Sequence, residues 1–187
     1  MTAPDDPDEK LMMRTAQGNH ESMEALLRRH ATPLLTFLYR LVGNRALAEE
    51  LFQEAFLAVW AKRSTYRYPK PFKPWLYAIA LNKVREYFRR HRLDTISLSE
   101  EQAEHLGEHA VKEPDHAAMD AEDAQIIAQA VARLPLQQRT VLVLRIWDGL
   151  SYGEIAEVLG KEEATVRSTM HHGLAAIRRI LAPRMAT

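Results

Sequence analysis

The chain has 187 residues, and its 25 lysines and arginines balance 25 aspartates and glutamates, so the formal net charge is zero. It contains no cysteine, which excludes disulfide scaffolds, thiol switches and cysteine–zinc sites. No apolar run is long enough for a transmembrane helix and no signal-peptide pattern is present, which predicts a cytoplasmic protein without membrane insertion. Glycine is sparse and helical periodicity dominates, so we predict an all-α fold.

The first predicted domain, residues 1–92, contains an amphipathic helix from Leu47 to about Lys62. One of its faces carries Glu50, Gln53 and Glu54 at positions i, i+3 and i+4, which form a single polar patch. Acids on a helix surface usually only maintain solubility, and no histidine or further acid stands where it would complete a metal site. Because Leu57 adds an apolar side chain that we predict to be exposed, a protein-docking patch is the sharper interpretation.

A basic and aromatic block from Trp60 to Arg92 follows, in which Glu86 is the only acid. From Trp75 onward, apolar residues recur at helical spacing and indicate the core side of a packed helix. Before Trp75 several prolines exclude a regular helix, and we predict a loop that carries three aromatic rings: Tyr66, Tyr68 and Phe72. A solvated basic helix face would not explain these rings. Cations that follow a phosphate backbone, beside rings on which bases stack, are typical of single-stranded nucleic-acid binding.

The composition changes abruptly after Arg92. Residues 93–123 are rich in acids and poor in apolar side chains, so we predict an acidic linker between two domains. His105 and His109 lie four residues apart within it. We do not expect a metal site there, because an acidic segment of this kind provides no preorganised ligand cage.

The second predicted domain, residues 124–187, ends in two helices joined at Gly160. The segment from Ser151 to Glu154 fits a capping box at the start of the first of them. Two short helices joined at a glycine, with the small Ala156 at their crossing, predict a helix-turn-helix, although an ordinary αα-hairpin shares this periodicity. The outer face of the last helix presents groups that can donate to base edges and phosphates: Thr165, Arg167, Ser168, His171, His172 and Arg178.

Taken together, the two domains resemble an extracytoplasmic-function sigma factor, the minimal class of the sigma-70 family. In the first domain the resemblance is carried by ALAEELFQEAFLAVW at 46–60 and FKPWLYAIALNKVREYFRR at 72–90. In the second it is carried by LPLQQRTVLVLRIWDGLSYGEIAEVLG at 134–160 and ATVRS at 164–168. No single block is specific, but their order and spacing around an acidic linker are.

The resemblance implies a transcription initiation factor, not an enzyme, that uses no cofactor. Its implied partners are promoter DNA and core RNA polymerase, through the β′ clamp helices and the β subunit, and an anti-sigma protein is a further partner that the family allows. The implied polymerase-docking residues are Glu50, Gln53, Glu54 and Leu57. The residues implied for the −10 element are Tyr66, Tyr68, Phe72, Trp75, Asn82, Arg85, Arg89 and Arg90. Those implied for the −35 element are Tyr152, Thr165, Arg167, Ser168, His171, His172 and Arg178.

The last helix departs from the family pattern, because His172 and Gly173 stand where arginine or alanine is common. Gly173 is expected to cost the last helix about 1 kcal/mol relative to alanine. Because arginine is missing at these positions, the surface of this helix that would contact the −35 element is expected to be only weakly basic.

Two other classes of protein are compatible with parts of the sequence. A stand-alone helix-turn-helix regulator would account for the second domain but not for the docking patch or the aromatic loop. A metal-dependent helical hydrolase would need clustered histidines and acids, which the sequence does not show. Binding to core polymerase distinguishes the sigma-factor interpretation from both.

Overall fold

The computed structural model describes the backbone of residues 6–96 and 118–185 and the side chains of residues 6–91 and 125–182. Within these ranges the chain is helical and forms no strand, which confirms the predicted all-α class. The helices are α1 (Asp8–Ala16), α2 (His20–Val42), α3 (Arg45–Ala61), α4 (Phe72–Ile96), α5 (Ala118–Ala132), α6 (Leu136–Ile146), α7 (Tyr152–Leu159) and α8 (Glu163–Met185). A short 3₁₀ turn, Arg63–Thr65, lies between α3 and α4.

The helix ends follow from local polar chemistry. The Asn19 side chain accepts a hydrogen bond from the Ser22 N–H at 2.7 Å, and Asn44 does the same for the Leu47 N–H at 3.0 Å, so both cap helix N-termini. Helix α2 continues through Pro33 and ends at Val42, where the C-cap Gly43 has the left-handed φ of 68° that glycine adopts without steric cost.

Helices α1–α4 pack around one side of a continuous buried core that also takes in residues of α5–α8. To this core α2 contributes Phe37 and Leu41, α3 contributes Leu51, and α4 contributes Leu76 and Val84. Helix α1 fixes the start of α4 because the Glu9 carboxylate accepts a hydrogen bond from the Phe72 N–H at 3.0 Å. The Asp8 carboxylate lies 2.7 Å from the His30 ring in the same region. Burial raises the pKa of Asp8, but contacts with His30 and Arg29 outweigh burial, so that this pKa lies below its ordinary value.

Helices α6–α8 form the second packed group, and α5 contacts α8. The predicted capping box is present: the Ser151 hydroxyl accepts from the Glu154 N–H at 3.2 Å, and the Glu154 carboxylate accepts from the Ser151 N–H at 2.7 Å. Helix α7 ends at Leu159 with Gly160 as its C-cap, and α8 begins three residues later at Glu163, as predicted for a helix-turn-helix. Gly173 lies where α8 approaches α6 closely, since a Cβ at this position would be 2.9 Å from the Leu142 Cδ1.

The two groups of helices pack against each other, with α7 on α4 and α6 on α2. The predicted linker limits fall inside helices, because α4 extends to Ile96 and α5 begins at Ala118. Residues 97–117, which include His105 and His109, lie outside the described residues.

Candidate protein and nucleic-acid interfaces

The outer face of α3 carries the predicted docking residues. Glu50 and Gln53 are exposed, Glu54 is half-buried, and the Leu57 side chain is 70% exposed, as predicted for this apolar residue. The Lys83 ammonium lies 3.3 Å from Glu54 and 3.6 Å from Glu86, so Glu54 is partly neutralised from α4. Glu50 therefore presents the less screened carboxylate of the two.

A groove separates α3 from α4 beside this face. It consists of two depressions of about 400 and 510 Å³, and Glu54, Lys83 and Glu86 line both. Leu57 and Asn82 line the larger one together. The predicted docking patch and the start of the predicted −10 surface are thus neighbours across one groove.

The structure corrects part of the predicted aromatic loop: Tyr66 and Tyr68 lie outside helices as predicted, but Phe72 does not. Phe72 is the first residue of α4 and is fully buried, and Tyr66 is 6% exposed. The Tyr66 ring lies 5.3 Å from the half-buried Trp75 ring, and its hydroxyl donates to the Lys70 carbonyl. Burial raises the pKa of Tyr66 to about 12, with Glu9 and Asp8 adding to the shift. Of the three rings predicted on the loop, only Tyr68 is exposed, at 53%.

The physical reason is the position of Pro74. A proline is tolerated in the first turn of a helix, where its missing N–H has no intrahelical partner to lose. Helix α4 therefore begins at Phe72, two residues before Pro74, and draws this ring into the core. Phe72 and Tyr66 cannot stack on a base without leaving the core, whereas Tyr68 can.

The exposed face of α4 carries the predicted arginines. Arg85, Arg89 and Arg90 are all exposed. Arg85 donates to the Asn82 side chain at 3.3 Å, and Arg90 pairs with Glu86. The hydrogen bond and charge of Arg90 lower the pKa of Glu86, with Lys83 adding to the effect. Glu86, the only acid of the basic block, thus offsets the positive charge of Arg90. The positive face of α4 is therefore centred on Arg85 and Arg89.

The outer face of α8 is exposed as predicted at Thr165, Arg167, Ser168, His171, His172 and Arg178, while Val166 and Met170 point into the core. The Arg167 guanidinium lies 4.4 Å from the centre of the Tyr152 ring and pairs with Glu163. The Arg145 guanidinium lies 4.9 Å from the same ring and donates to the Leu150 carbonyl at 2.9 Å. Tyr152 therefore holds Arg167 at the start of the reading helix through cation–π contact.

Sequence reasoning missed the partners Arg145 and Glu163. Glu163 could have been found from its i, i+4 spacing to Arg167. Arg145 carries no such signal, because it comes from α6 and meets Tyr152 only through the fold.

Two classes of site find no support in the part of the chain that the structure describes. No group of three or more histidine, cysteine, aspartate or glutamate side chains there could hold a metal ion. Every helix in the described ranges is also too short or too polar to cross a membrane.

Within the described ranges the chain is helical and combines an exposed docking face on α3, a basic face on α4 beside it and a helix-turn-helix, which is the architecture of a DNA-binding transcription factor with a protein-docking face. Residues 26–93 match the Sigma-70 region 2 family model, and residues 124–177 match Sigma-70, region 4. The chain is similar to the RNA polymerase sigma-H factor of Pseudomonas aeruginosa, with 31% identity over 182 residues, covering 94% of both chains. It is also similar to the ECF RNA polymerase sigma factor SigL of Mycobacterium tuberculosis, with 32% identity over 157 residues, covering 83% of this chain and 86% of the relative.

A solved structure shows the same fold: the sigma factor RpoE in complex with the anti-sigma factor NepR from Bartonella quintana. It matches with a TM-score of 0.71 and 21% identity over 85% of this chain and 96% of the other. The chain therefore belongs to the sigma-70 family and, within it, to the extracytoplasmic-function sigma factors. A stand-alone helix-turn-helix regulator is not supported, because the Sigma-70 region 2 match at residues 26–93 covers helices that such a protein would not need.

Proposed function

We propose that this chain binds core RNA polymerase in the cytoplasm and directs it to promoter DNA, without catalysing a reaction itself. The observation that carries the proposal is the presence of two separate exposed surfaces on one chain. One combines the 70% exposed Leu57 with the carboxylate of Glu50 on α3, and the other is the exposed outer face of α8. A surface-exposed leucine bordered by charges is typical of a protein-docking site.

The docking face would contact the clamp helices of the β′ subunit. Leu57 and the groove beside it supply the apolar area, while Glu50 supplies a charge that guides association. Glu54 is the weaker contributor because Lys83 already lies 3.3 Å from its carboxylate.

The basic face of α4 and the exposed Tyr68 would act on the −10 element. Arg85 and Arg89 would contact phosphates, and Tyr68 offers a ring for an unpaired base. Extruding a base costs a few kcal/mol, and stacking returns about 1–3 kcal/mol per base. We assign to Tyr68 alone the base-stacking role that was predicted for Tyr66, Tyr68 and Phe72 together.

The N-terminal part of α8 would read the −35 element. Arg167 is the main candidate for a base contact because Tyr152 and Glu163 restrict its conformations before DNA arrives. His171 and His172 are exposed further along the same face and would lie near phosphates.

An anti-sigma protein is a further proposed partner, since the solved neighbour RpoE is in complex with the anti-sigma factor NepR. Such a partner would act by covering the groove between α3 and α4 and competing with polymerase for Leu57.

The test is reconstitution with the full chain. Core polymerase should retain the chain in a pull-down, and the pair should give run-off transcripts from a genomic promoter library that core polymerase alone does not give. A chain that binds DNA tightly by itself but does not bind core polymerase would contradict the proposal and favour a stand-alone regulator.

A further inference from the structure

The exposed ring of Tyr68 lies in a short closed loop, residues 66–71, between the 3₁₀ turn and the start of α4. We call this segment the Tyr68 loop. Within it the Lys70 N–H donates to the Arg67 carbonyl at 2.9 Å, which closes a turn around Tyr68. The hydroxyl of the buried Tyr66 donates to the Lys70 carbonyl and closes the base of the loop. The direction in which Tyr68 points therefore depends on how the two ends of the loop are held.

The first end of the loop is held by packed rings. The Tyr66 ring lies 5.3 Å from that of Trp75 and 6.3 Å from that of Phe72, both in the edge-to-face arrangement that aromatic pairs favour. Trp75 and Phe72 belong to the first turn of α4. The loop is thus folded back on the helix that follows it.

The second end is held by a residue 63 positions away in the chain. The Glu9 carboxylate on α1 accepts a hydrogen bond from the Phe72 N–H at 3.0 Å. The first N–H groups of a helix have no intrahelical acceptor, and a negative charge there also interacts favourably with the helix dipole. Glu9 therefore acts as an N-terminal cap of α4 that a different helix supplies.

Helix α1 is in turn fixed to α2, so that Glu9 is firmly placed. Its neighbour Asp8 lies 2.7 Å from the ring nitrogen of the buried His30. The His30 ring packs edge-on against Phe72, with ring centres 5.3 Å apart. Burial and, after it, the charges of Glu9 and Asp8 raise the pKa of Tyr66, so both carboxylates are close to the base of the loop.

We propose that Glu9 is a positioning residue for promoter recognition, which through the Phe72 N–H sets the orientation of Tyr68 toward an unpaired base of the −10 element. This inference rests on the proposed function. Glu9 acts through the loop and not on DNA, because its half-buried carboxylate already accepts from Phe72. Losing Glu9 should therefore weaken the stacking of one base and leave contacts to the phosphates unchanged.

The first experiment measures this cap in the free chain and needs neither DNA nor polymerase. Selective isotope labelling of the five phenylalanines gives one amide signal for Phe72 and four internal references from helix interiors: Phe37, Phe52, Phe56 and Phe88. In Glu9→Ala, hydrogen exchange of the Phe72 amide should become about tenfold faster or more, because its hydrogen bond to a charged group is lost. The four references should keep the rates of the parent chain.

Glu9→Gln is the conservative variant, because its amide oxygen can still accept from the Phe72 N–H, and it should exchange much more slowly than Glu9→Ala. Glu24→Ala is the matched control, since it removes a carboxylate on α2 that pairs with Arg28 of the same helix. An unchanged Phe72 amide in Glu9→Ala would overturn the inference. Equal acceleration of all five amides would also overturn it, because Glu9 would then stabilise the whole chain and not the loop.

The second experiment measures the stacked base with the full chain bound to core polymerase. The probes are single-stranded oligonucleotides that carry the −10 element of a promoter from the run-off library, intact or with one base at a time replaced by an abasic site. At the position that Tyr68 stacks on, the ratio of the abasic to the intact Kd should fall about fivefold or more in Glu9→Ala. The ratio should be kept in Glu9→Gln and in Glu24→Ala, and the Kd for core polymerase should not change in any of them.

Combination with Tyr68→Ala shows whether Glu9 acts through this ring. The double variant should lose no more than Tyr68→Ala alone, because two residues that serve one contact are not additive. Additive losses, or equal weakening of the intact and every abasic oligonucleotide, would overturn the inference and leave the proposed function standing. A parent chain that gave no promoter-specific transcription with core polymerase would overturn the proposed function, and this inference with it.

Discussion

Replacing Leu57 with serine removes the most exposed large apolar side chain in the part of the chain that the structure describes. Fully burying a leucine contributes about 1.5–3 kcal/mol. Because Leu57 is 70% exposed in the free chain, about 1–2 kcal/mol of this remains to be gained on docking. At 1.4 kcal/mol per factor of ten, the Kd for core polymerase should rise about 5- to 30-fold. Fluorescence anisotropy of a chain labelled at a single introduced cysteine measures this directly.

The thermal stability of the free chain should not change, because this side chain makes few contacts there. Ile127→Ser on α5 is the control, since Ile127 is 41% exposed but lies outside the docking face, and it should leave Kd unchanged. A Leu57→Ser chain that binds core polymerase as tightly as the parent would refute the assignment of this face. A loss of helicity would instead show that Leu57 acts through folding.

Three further predictions test the other surfaces. Glu50→Lys should slow association with core polymerase and reduce its salt dependence, because Glu50 is exposed, and stopped-flow fluorescence at two salt concentrations would detect this. Replacing Arg85, Arg89 and Arg90 with alanine should reduce open-complex formation on duplex promoters, which permanganate reactivity measures. A premelted template should restore open-complex formation, because the cost of opening has already been met. Tyr152→Leu should weaken −35 binding about 2- to 5-fold by releasing Arg167, whereas Tyr152→Phe should not, and an equal loss in both would assign the hydroxyl to DNA contact instead.

Patterns that repeat along one helix were predictable from the sequence. The exposure of Leu57 and of Arg167 follows from helical spacing alone, because neighbours at i+3 and i+4 fix which side faces the core. The capping box at Ser151 was likewise predictable, since both partners lie within four residues.

The prediction placed Tyr66 and Tyr68 outside helices correctly but was wrong for Phe72, because the rule that proline breaks helices has a positional exception. Pro74 stands in the first turn of α4, so this helix begins at Phe72 and the Phe72 ring packs inward. The burial of Tyr66 depends on its contacts with Trp75 and the Lys70 carbonyl, which the sequence does not show. Gly173 illustrates a different limit. In the sequence it is only a helix-weakening residue, whereas the structure shows that a Cβ there would lie 2.9 Å from a Leu142 methyl group.

The junction between the two groups of helices could not be predicted. Tyr77 and Asp148 are 71 residues apart in the chain, and no periodicity connects them. In the sequence, Asp148 is a turn residue before Gly149, and only the fold makes it a half-buried hydrogen-bond acceptor.

The contact of Asp148 with Tyr77 makes the stability of the packed chain depend on pH. Loss of solvent raises the pKa of this carboxyl above its ordinary value of 3.8, although the Tyr77 hydrogen bond and the charges of Lys73 and Arg40 oppose the shift. Of these facing groups, only Asp148 titrates in weak acid, since the pKa of Tyr77 is itself raised by burial and by Asp148.

The folded chain therefore binds this proton more tightly than the unfolded chain, in which Asp148 is solvated. The contribution of this carboxyl to folding stability is least favourable above the raised pKa, improves as the pH falls through it, and gains nothing further below about 3.8, where both forms are protonated. Urea unfolding of the parent chain and of Asp148→Asn, measured from neutral pH down towards 3.8, tests this. The parent chain should gain stability relative to the variant as the pH falls, because asparagine keeps a carbonyl oxygen for Tyr77 but cannot ionise. A pH profile shared by both chains would place the titrating group elsewhere, and a parent chain that gained stability over the variant as the pH rose would contradict the burial argument itself.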